Sequence, residues 1–260
     1  MKIENVEEEP MKNDNLFNRE DSKAFALKVS KKIAGWYSNE SFHENAVRRI
    51  VLKREEIYSL LEKVEKVSMK KLLRYLDSSG FFYRPSSPNK HHNYPGGLAE
   101  HSLGTFRIVQ EWNNMTPDER RNSELYCRFL SDKPFSCDIF TEKANDDDMA
   151  IAAICHDLCK AKHYYMLGRI IRSHNSDPEP RTMHSGLSVK RLRENGINND
   201  NCDELLLAVL MHMRLYSKPR SNREEETQKK GRSSMLAVIV WAADKLDASR
   251  HPAGKRHQQL

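Results

Sequence analysis

Ala153-Ile154-Cys155-His156-Asp157-Leu158-Cys159-Lys160 is the stretch on which the fold of this chain turns. The short apolar run Met149 to Ile154 leads straight into an adjacent His and Asp, with a Lys one turn later. Neutral imidazole and carboxylate are both ligands for divalent metals. Neighbouring ligands on one helix can share one ion only if the rest of the chain supplies others.

Upstream, the pattern is helical. Asp21 or Ser22 can cap a helix carrying Phe25, Leu27, Val29 and Ile33, ending near Tyr37-Ser38-Asn39. Ser41 can open a second, with Val47, Ile50, Val51, Ile57, Leu60, Leu61 and Val64 on its apolar face. Arg48, Arg49, Lys53 and Arg54 fall on the other face, either solvated or tracking phosphates. A third helix runs from about Ser68 to Asp77, with Gly80 as its stop. Phe81 to Pro88 is too proline-rich for a helix and reads as an extended connector packed on the domain. Pro95-Gly96-Gly97 is a turn, and the helix it opens carries His101 one turn in, on the face of Leu98 and Thr105. Residues 114–147 are polar and irregular, with a short helix around Asp118 to Leu130. Asn145-Asp146-Asp147-Asp148 does not have EF-hand spacing and reads as favourable charge at the start of the helix leading to His156.

Downstream, His163 to Arg172 mixes aromatic and β-branched residues, as in a short hairpin or an irregular flap. Residues 173–183 read as loop. His184 stands at the mouth of a further helix that ends at Asn195-Gly196. Asp203 can cap the next, which runs through Leu210 to His212. Ser217 to Arg232 reads as a charged, mobile loop. The last helix, Ser233 to Ser249, is apolar until it meets Asp244, with Lys245 and Asp247 beyond. A carboxylate on a buried helix needs a partner for its charge.

Length and composition set bounds. The 260 residues suffice for one large domain or a domain with an extension, and no apolar run approaches the roughly 20 residues of a membrane span. Met1 to Asp21 is acidic and polar, without the apolar core of a signal peptide, so a cytoplasmic location is expected. Five cysteines follow no disulfide framework; Cys155 and Cys159 share a helical face as small buried residues or as two thiolates of a zinc site that no second pair completes. The net charge of +6 suits a phosphorylated or nucleic-acid partner, but basic and acidic residues are interleaved. There is no internal repeat, no Gly-rich phosphate loop and no nucleophile elbow.

Six residues, His101, His156, Asp157, His184, His212 and Asp244, sit in or beside apolar helices. Inward-pointing nitrogen and oxygen ligands on several helices are how helical folds build metal centres. A His and carboxylate set suits Mn, Fe, Co, Ni, Zn or Mg. The order His…His-Asp…Asp resembles the HD superfamily of metal-dependent phosphohydrolases, and His101, His156, Asp157 and Asp244 match its four signature positions. The resemblance covers roughly residues 68–250. Asn93 to Leu103 and His156 to Lys160 are similar to a branch that includes bacterial and phage HD proteins and the HD domain of bacterial 3′-to-5′ exoribonucleases. In that branch further histidines lie where His184 and His212 stand; its usual second His after the position of His212 is Met213 here.

The resemblance implies an all-α HD-domain helical bundle, to which the residue pattern adds an N-terminal helical extension, in place of the branch's nucleic-acid-binding domain, and a short β-hairpin near 163–172. The expected division is a disordered tail over 1–20, a helical extension over 21–67, the HD phosphohydrolase domain over 68–250 and a second tail over 251–260. One divalent ion is expected on His101, His156, Asp157 and Asp244, and a second on Asp157, His184 and His212. A metal-activated water would hydrolyse a phosphate ester of a nucleotide or short oligonucleotide. Lys160 is a candidate to offset phosphoryl charge, or a surface lysine, or a salt-bridge partner of Asp157 or Asp244. Arg214 and Lys218, with Arg220, could clamp a phosphate or lie on a solvated loop. The other class of function is a non-catalytic, metal-containing module that binds nucleic acid or regulates. No membrane partner is expected, and the oligomeric state is open.

Overall fold

A computed structural model describes residues 19–65, 67, 69–167, 170–173, 184–198 and 202–252. Residues 1–18 and 253–260 of the expected tails, and 174–183 of the expected loop, lie outside the described residues. The described part is helical apart from one hairpin. Its helices are α1 (Arg19–Lys32), α2 (Glu40–Leu61), α3 (Lys70–Ser79), α4 (Gly97–Asn114), α5 (Pro117–Asn122), α6 (Asp146–Cys155), α7 (Lys160–His163), α8 (His184–Glu194), α9 (Asp203–Met211), α10 (Asn222–Arg232) and α11 (Met235–Arg250). A π-helical turn covers Tyr126–Leu130. Strands β1 (Tyr164–Leu167) and β2 (Ile170–Ser173) pair antiparallel, so the hairpin alternative is the one formed. No described helix is long and apolar enough to cross a membrane.

The core is built around α6. Every residue from Asp148 to Cys155 is buried, as expected of a helix apolar on all sides. Asn145 caps it through its side-chain oxygen, and Asp146, Asp147 and Asp148 occupy the first turn, where carboxylates suit the helix dipole. α4, α9, α2 and α11 pack around it. α11 is likewise buried from Met235 to Asp244, capped by Ser234. The histidine-rich turn before α4 is held by close backbone approach. Gly96 has a φ of 84°, and a Cβ on Gly97 would lie 2.0 Å from the His92 carbonyl oxygen.

The N-terminal helices join this core. Asn39 accepts from the Ser41 and Phe42 amides, and α2 buries Ile50, Ile57 and Leu61 against α4 and α6. Arg54 corrects the expectation for the basic face of α2. It is buried, donates to both carboxylate oxygens of Asp77 at 2.7 and 2.6 Å, and stacks over Phe25 and Tyr58. Counting from the apolar stripe puts it outside; the Asp on α3 draws it in.

Three further expectations are corrected. Ser217 to Arg232 is not all loop: Ser221 caps α10, which has Glu224 and Glu225 in its first turn and Lys229, Lys230 and Arg232 in its last. The helix carries few apolar residues, so the periodicity that marks the others is missing, and its stabilising features are the cap and the charge order. The single helix expected over Asp118 to Leu130 is two pieces separated at Ser123. Asp203 is the first residue of α9 rather than its cap; Cys202 precedes it without a side-chain cap.

Candidate metal centre

His156 stands one residue past the end of α6. Its Nδ1 lies 2.8 Å from the Ala153 carbonyl oxygen, one of the carbonyls a helix end leaves without an intrahelical partner. That bond places the proton on Nδ1 and turns Nε2 toward the site. His212 repeats the arrangement one residue past α9, with Nδ1 2.6 Å from the Val209 carbonyl oxygen. His101, one turn into α4, is held by carboxylates instead. Asp244 Oδ1 lies 3.1 Å from its Nε2, and Asp247 Oδ2 lies 2.7 Å from its Nδ1.

Ligand atoms of His101, His156, Asp157 and Asp244 all lie within 4.8 Å of one another, and all four residues are buried. Asp157 Oδ2 is 3.6 Å from His101 Nε2 and 3.4 Å from His156 Nε2. Asp157 Oδ1 turns the other way and lies 3.4 Å from His212 Nε2. Neither Asp157 Oδ1 nor His212 Nε2 completes a hydrogen bond, although both are buried. Buried lone pairs without donors carry a desolvation cost that a cation removes. The donor set therefore fits a divalent metal: imidazole nitrogens, carboxylates and no thiolate. Burial pushes the Cys155 and Cys159 thiols up to about 12, and neither sulfur belongs to the four closely spaced ligands.

The electrostatics agree. Burial opposes charge on Asp157, yet Lys160, His156 and His101 outweigh it and hold its carboxyl well below the usual range. Asp244 is held low in the same way by Lys245 and His101. His101 shows the converse. Burial disfavours its charged form, but the surrounding carboxylates of Asp157, Asp244 and Asp247 together raise it well above the ordinary value. Burial and the neighbouring His101 and His212 lower His156 despite Asp157. Lys160 Nζ sits 2.5 Å from Asp157 Oδ2, the salt bridge among its sequence alternatives. Its side chain is 12% exposed, whereas those of His101, His156 and His212 are fully buried, so it is the most exposed charge in contact with Asp157.

His184 lies apart from the four closely spaced ligands. It is half-buried, its ring meets that of His163 edge to face at 4.9 Å, and its Nδ1 is 3.8 Å from Cys159 Sγ. Burial and then His163 lower its pKa. It also lines a cavity of about 550 Å³ together with Met213, Arg214, Lys218 and Arg220. Arg214 is paired through Nε with Glu224 of α10. Lys218 and Arg220 make no salt bridge among the described residues and face this cavity.

Three residues beside the centre had no role legible in the sequence. Asp247 binds both His101 and His92, the latter at 2.8 Å. His91 packs its ring 4.8 Å from that of His101, and its buried Nε2 lacks a hydrogen-bond partner. Burial and the nearby His101 lower His91 to about 3. The signal for Asp247 was its position one turn after Asp244 on an apolar helix. None existed for His91 and His92, whose approach depends on how the 91–97 turn folds back.

The family model described as HD domain matches residues 98–249, more than half of the chain and the whole span from His101 to Asp244. No curated protein and no solved structure matched.

Proposed function

The chain belongs to the HD domain family, whose members are typically phosphohydrolases, and on that footing we propose that it hydrolyses a phosphate ester of a nucleotide or short oligonucleotide in a metal-dependent reaction. The observation that carries this reading is the convergence of His101, His156, Asp157 and Asp244 on one point, with Asp157 Oδ1 and His212 Nε2 left over beside it. The four would hold one ion; Asp157, His212 and His184 would hold a second. A divalent ion in this setting supplies Lewis acidity toward phosphoryl oxygen and lowers the proton affinity of water.

The protein's own part is binding, orientation and charge. The helix-end carbonyls of Ala153 and Val209 fix two imidazoles by their Nδ1–H groups. Burial of the ligand set keeps bulk water away, so fixed charges act at low dielectric. Lys160 would neutralise charge that grows on the phosphoryl oxygens during transfer. The cavity beside His184 is large enough for a nucleotide-sized group, and Lys218 and Arg220 give it positive charge suited to phosphate. Arg214 would contribute there through the part of its guanidinium that Glu224 does not hold.

The test is hydrolysis of a generic phosphodiester, bis(p-nitrophenyl) phosphate, with Mn, Mg, Co and Ni, followed by a screen of mononucleotides, cyclic nucleotides and short oligonucleotides. His156→Ala and Asp157→Ala should each lower the metal-dependent rate by about three orders of magnitude while the protein stays folded. Undiminished hydrolysis in either folded variant, or no hydrolysis by the parent chain with any metal, would sink the reading and favour a non-catalytic binding module.

A further inference from the structure

Two carboxylates one turn apart on α11 hold both nitrogens of a single imidazole on α4. Asp244 lies at Nε2 of His101, and Asp247 lies at Nδ1. Asp244 belongs to the four-residue ligand set; Asp247 instead groups with His92 and His251, and His251 Nδ1 is 3.4 Å from its Oδ1. The same Asp247 oxygen that meets His101 is 2.8 Å from His92 Nε2, and His92 Nδ1 is 2.9 Å from the Tyr94 hydroxyl. A carboxylate only accepts, so both imidazoles donate to it. Neutral His92 then has one lone pair left, on Nδ1, and it accepts from the Tyr94 O–H. The chain therefore has one consistent set of protons: Tyr94 to His92, His92 to Asp247, and His101 Nδ1–H to Asp247.

We propose that Asp247, His92 and Tyr94 are positioning residues for the metal centre, fixing the tautomer and ring orientation of His101 so that Nε2 presents its lone pair to the ion. The inference rests on the metal-dependent reading above.

Four observations separate this from incidental packing. Asp247, His92 and His101 are all buried, where an unpaired carboxylate would be costly, so the site of Asp247 is meaningful only with its imidazole partners. Backbone has been kept clear for it: a Cβ on Gly104 would lie 1.9 Å from Asp247 Oδ1. The His92 end is held in the same manner, since Gly97 admits the His92 carbonyl at a distance no other residue allows. Finally, His156 and His212 have their Nδ1 protons engaged by helix-end carbonyls, whereas His101 lies inside a helix, where the carbonyls are already bonded. It needs an acceptor from another element, and Asp247 is that acceptor. Hydrogen bonds of this type raise ligand basicity and spare the ion the cost of ordering the ring.

The experiment measures Mn²⁺ and Co²⁺ affinity of the full chain by chelator competition, with the Co²⁺ absorption spectrum as a second readout. Asp247→Asn keeps the shape and removes the charge, and its affinity should fall about 10- to 100-fold with a changed Co²⁺ spectrum. Gly104→Ala should reproduce the effect by displacing Asp247. Tyr94→Phe, which removes the hydroxyl that meets His92 Nδ1, should weaken binding in the same direction by a smaller factor. It remains informative if Asp247→Asn fails to fold. Folded variants that bind both ions with parental affinity and spectrum would overturn the inference. Absence of divalent binding by the parent chain would instead overturn the functional reading beneath it.

Discussion

Lys160 and a divalent ion would compete for the same carboxylate. The ammonium lies on Asp157 Oδ2, the oxygen that faces His101 and His156. Lys160→Met should therefore split two quantities that usually move together. Turnover should fall about 10- to 100-fold, because a positive charge near the phosphoryl oxygens is lost. Metal affinity should hold or rise, because a cation that opposes the ion is gone. Steady-state kinetics and metal titration on one preparation check both halves, and a fall in affinity would show Lys160 to be a prop of the site. His101 makes a second prediction. Its pKa is raised in the metal-free protein, so its proton favours the metal-free fold below the ordinary histidine value, and that stabilisation is lost as pH rises through the raised value. A ligand nitrogen must be unprotonated, so the sign for binding is the opposite: affinity strengthens with pH, by about tenfold per unit while one proton is displaced. Calorimetric titration in buffers of different ionisation enthalpy counts that proton.

The irregular stretch between α4 and α6 has an organising residue of its own. Arg120 is buried on α5 and donates to the carbonyls of Trp112, Asn113, Ile139, Phe140 and Glu142. One side chain thus satisfies the end of α4 and the loop that precedes α6. Arg120→Met should cost about 3 kcal/mol or more, because several buried carbonyls lose a charged donor together. A thermal or urea denaturation curve reads this, and it should leave the metal affinity of the folded fraction unchanged. Helices such as α2, α4 and α11 were legible because burial leaves an apolar stripe or, in α11, a continuous apolar run in the sequence. The role of Arg120 was not, because its partners are backbone carbonyls that carry no residue signature. α10 failed to register for a related reason: cap and charge order stabilise it, and neither repeats.

Over the whole molecule, α1 and α2 are bound into the same core as the metal centre. α2 packs on α4 and α6, Phe25 meets Phe82 edge to face at 5.8 Å, and Arg54 ties α2 to α3 through Asp77. A chain beginning at residue 67 would uncover apolar faces of the helices that bear His101 and lead into His156. It should show a lower melting temperature and bind a hydrophobic dye, whereas an independent extension would leave both unchanged. His101, His156, Asp157 and Asp244, which lie together, could be picked out across this distance because an imidazole or carboxylate within or just past an apolar helix needs a partner, as Asp244 does after Met235 to Ala243. The positions of His91 and His92 depend instead on the fold-back of the 91–97 turn, which no periodicity encodes. The account is tested most directly by anomalous diffraction from crystals soaked in Mn²⁺ or Co²⁺. It predicts a peak enclosed by His101, His156, Asp157 and Asp244 that disappears in Asp157→Ala; no peak there, or one that persists in that variant, would contradict it.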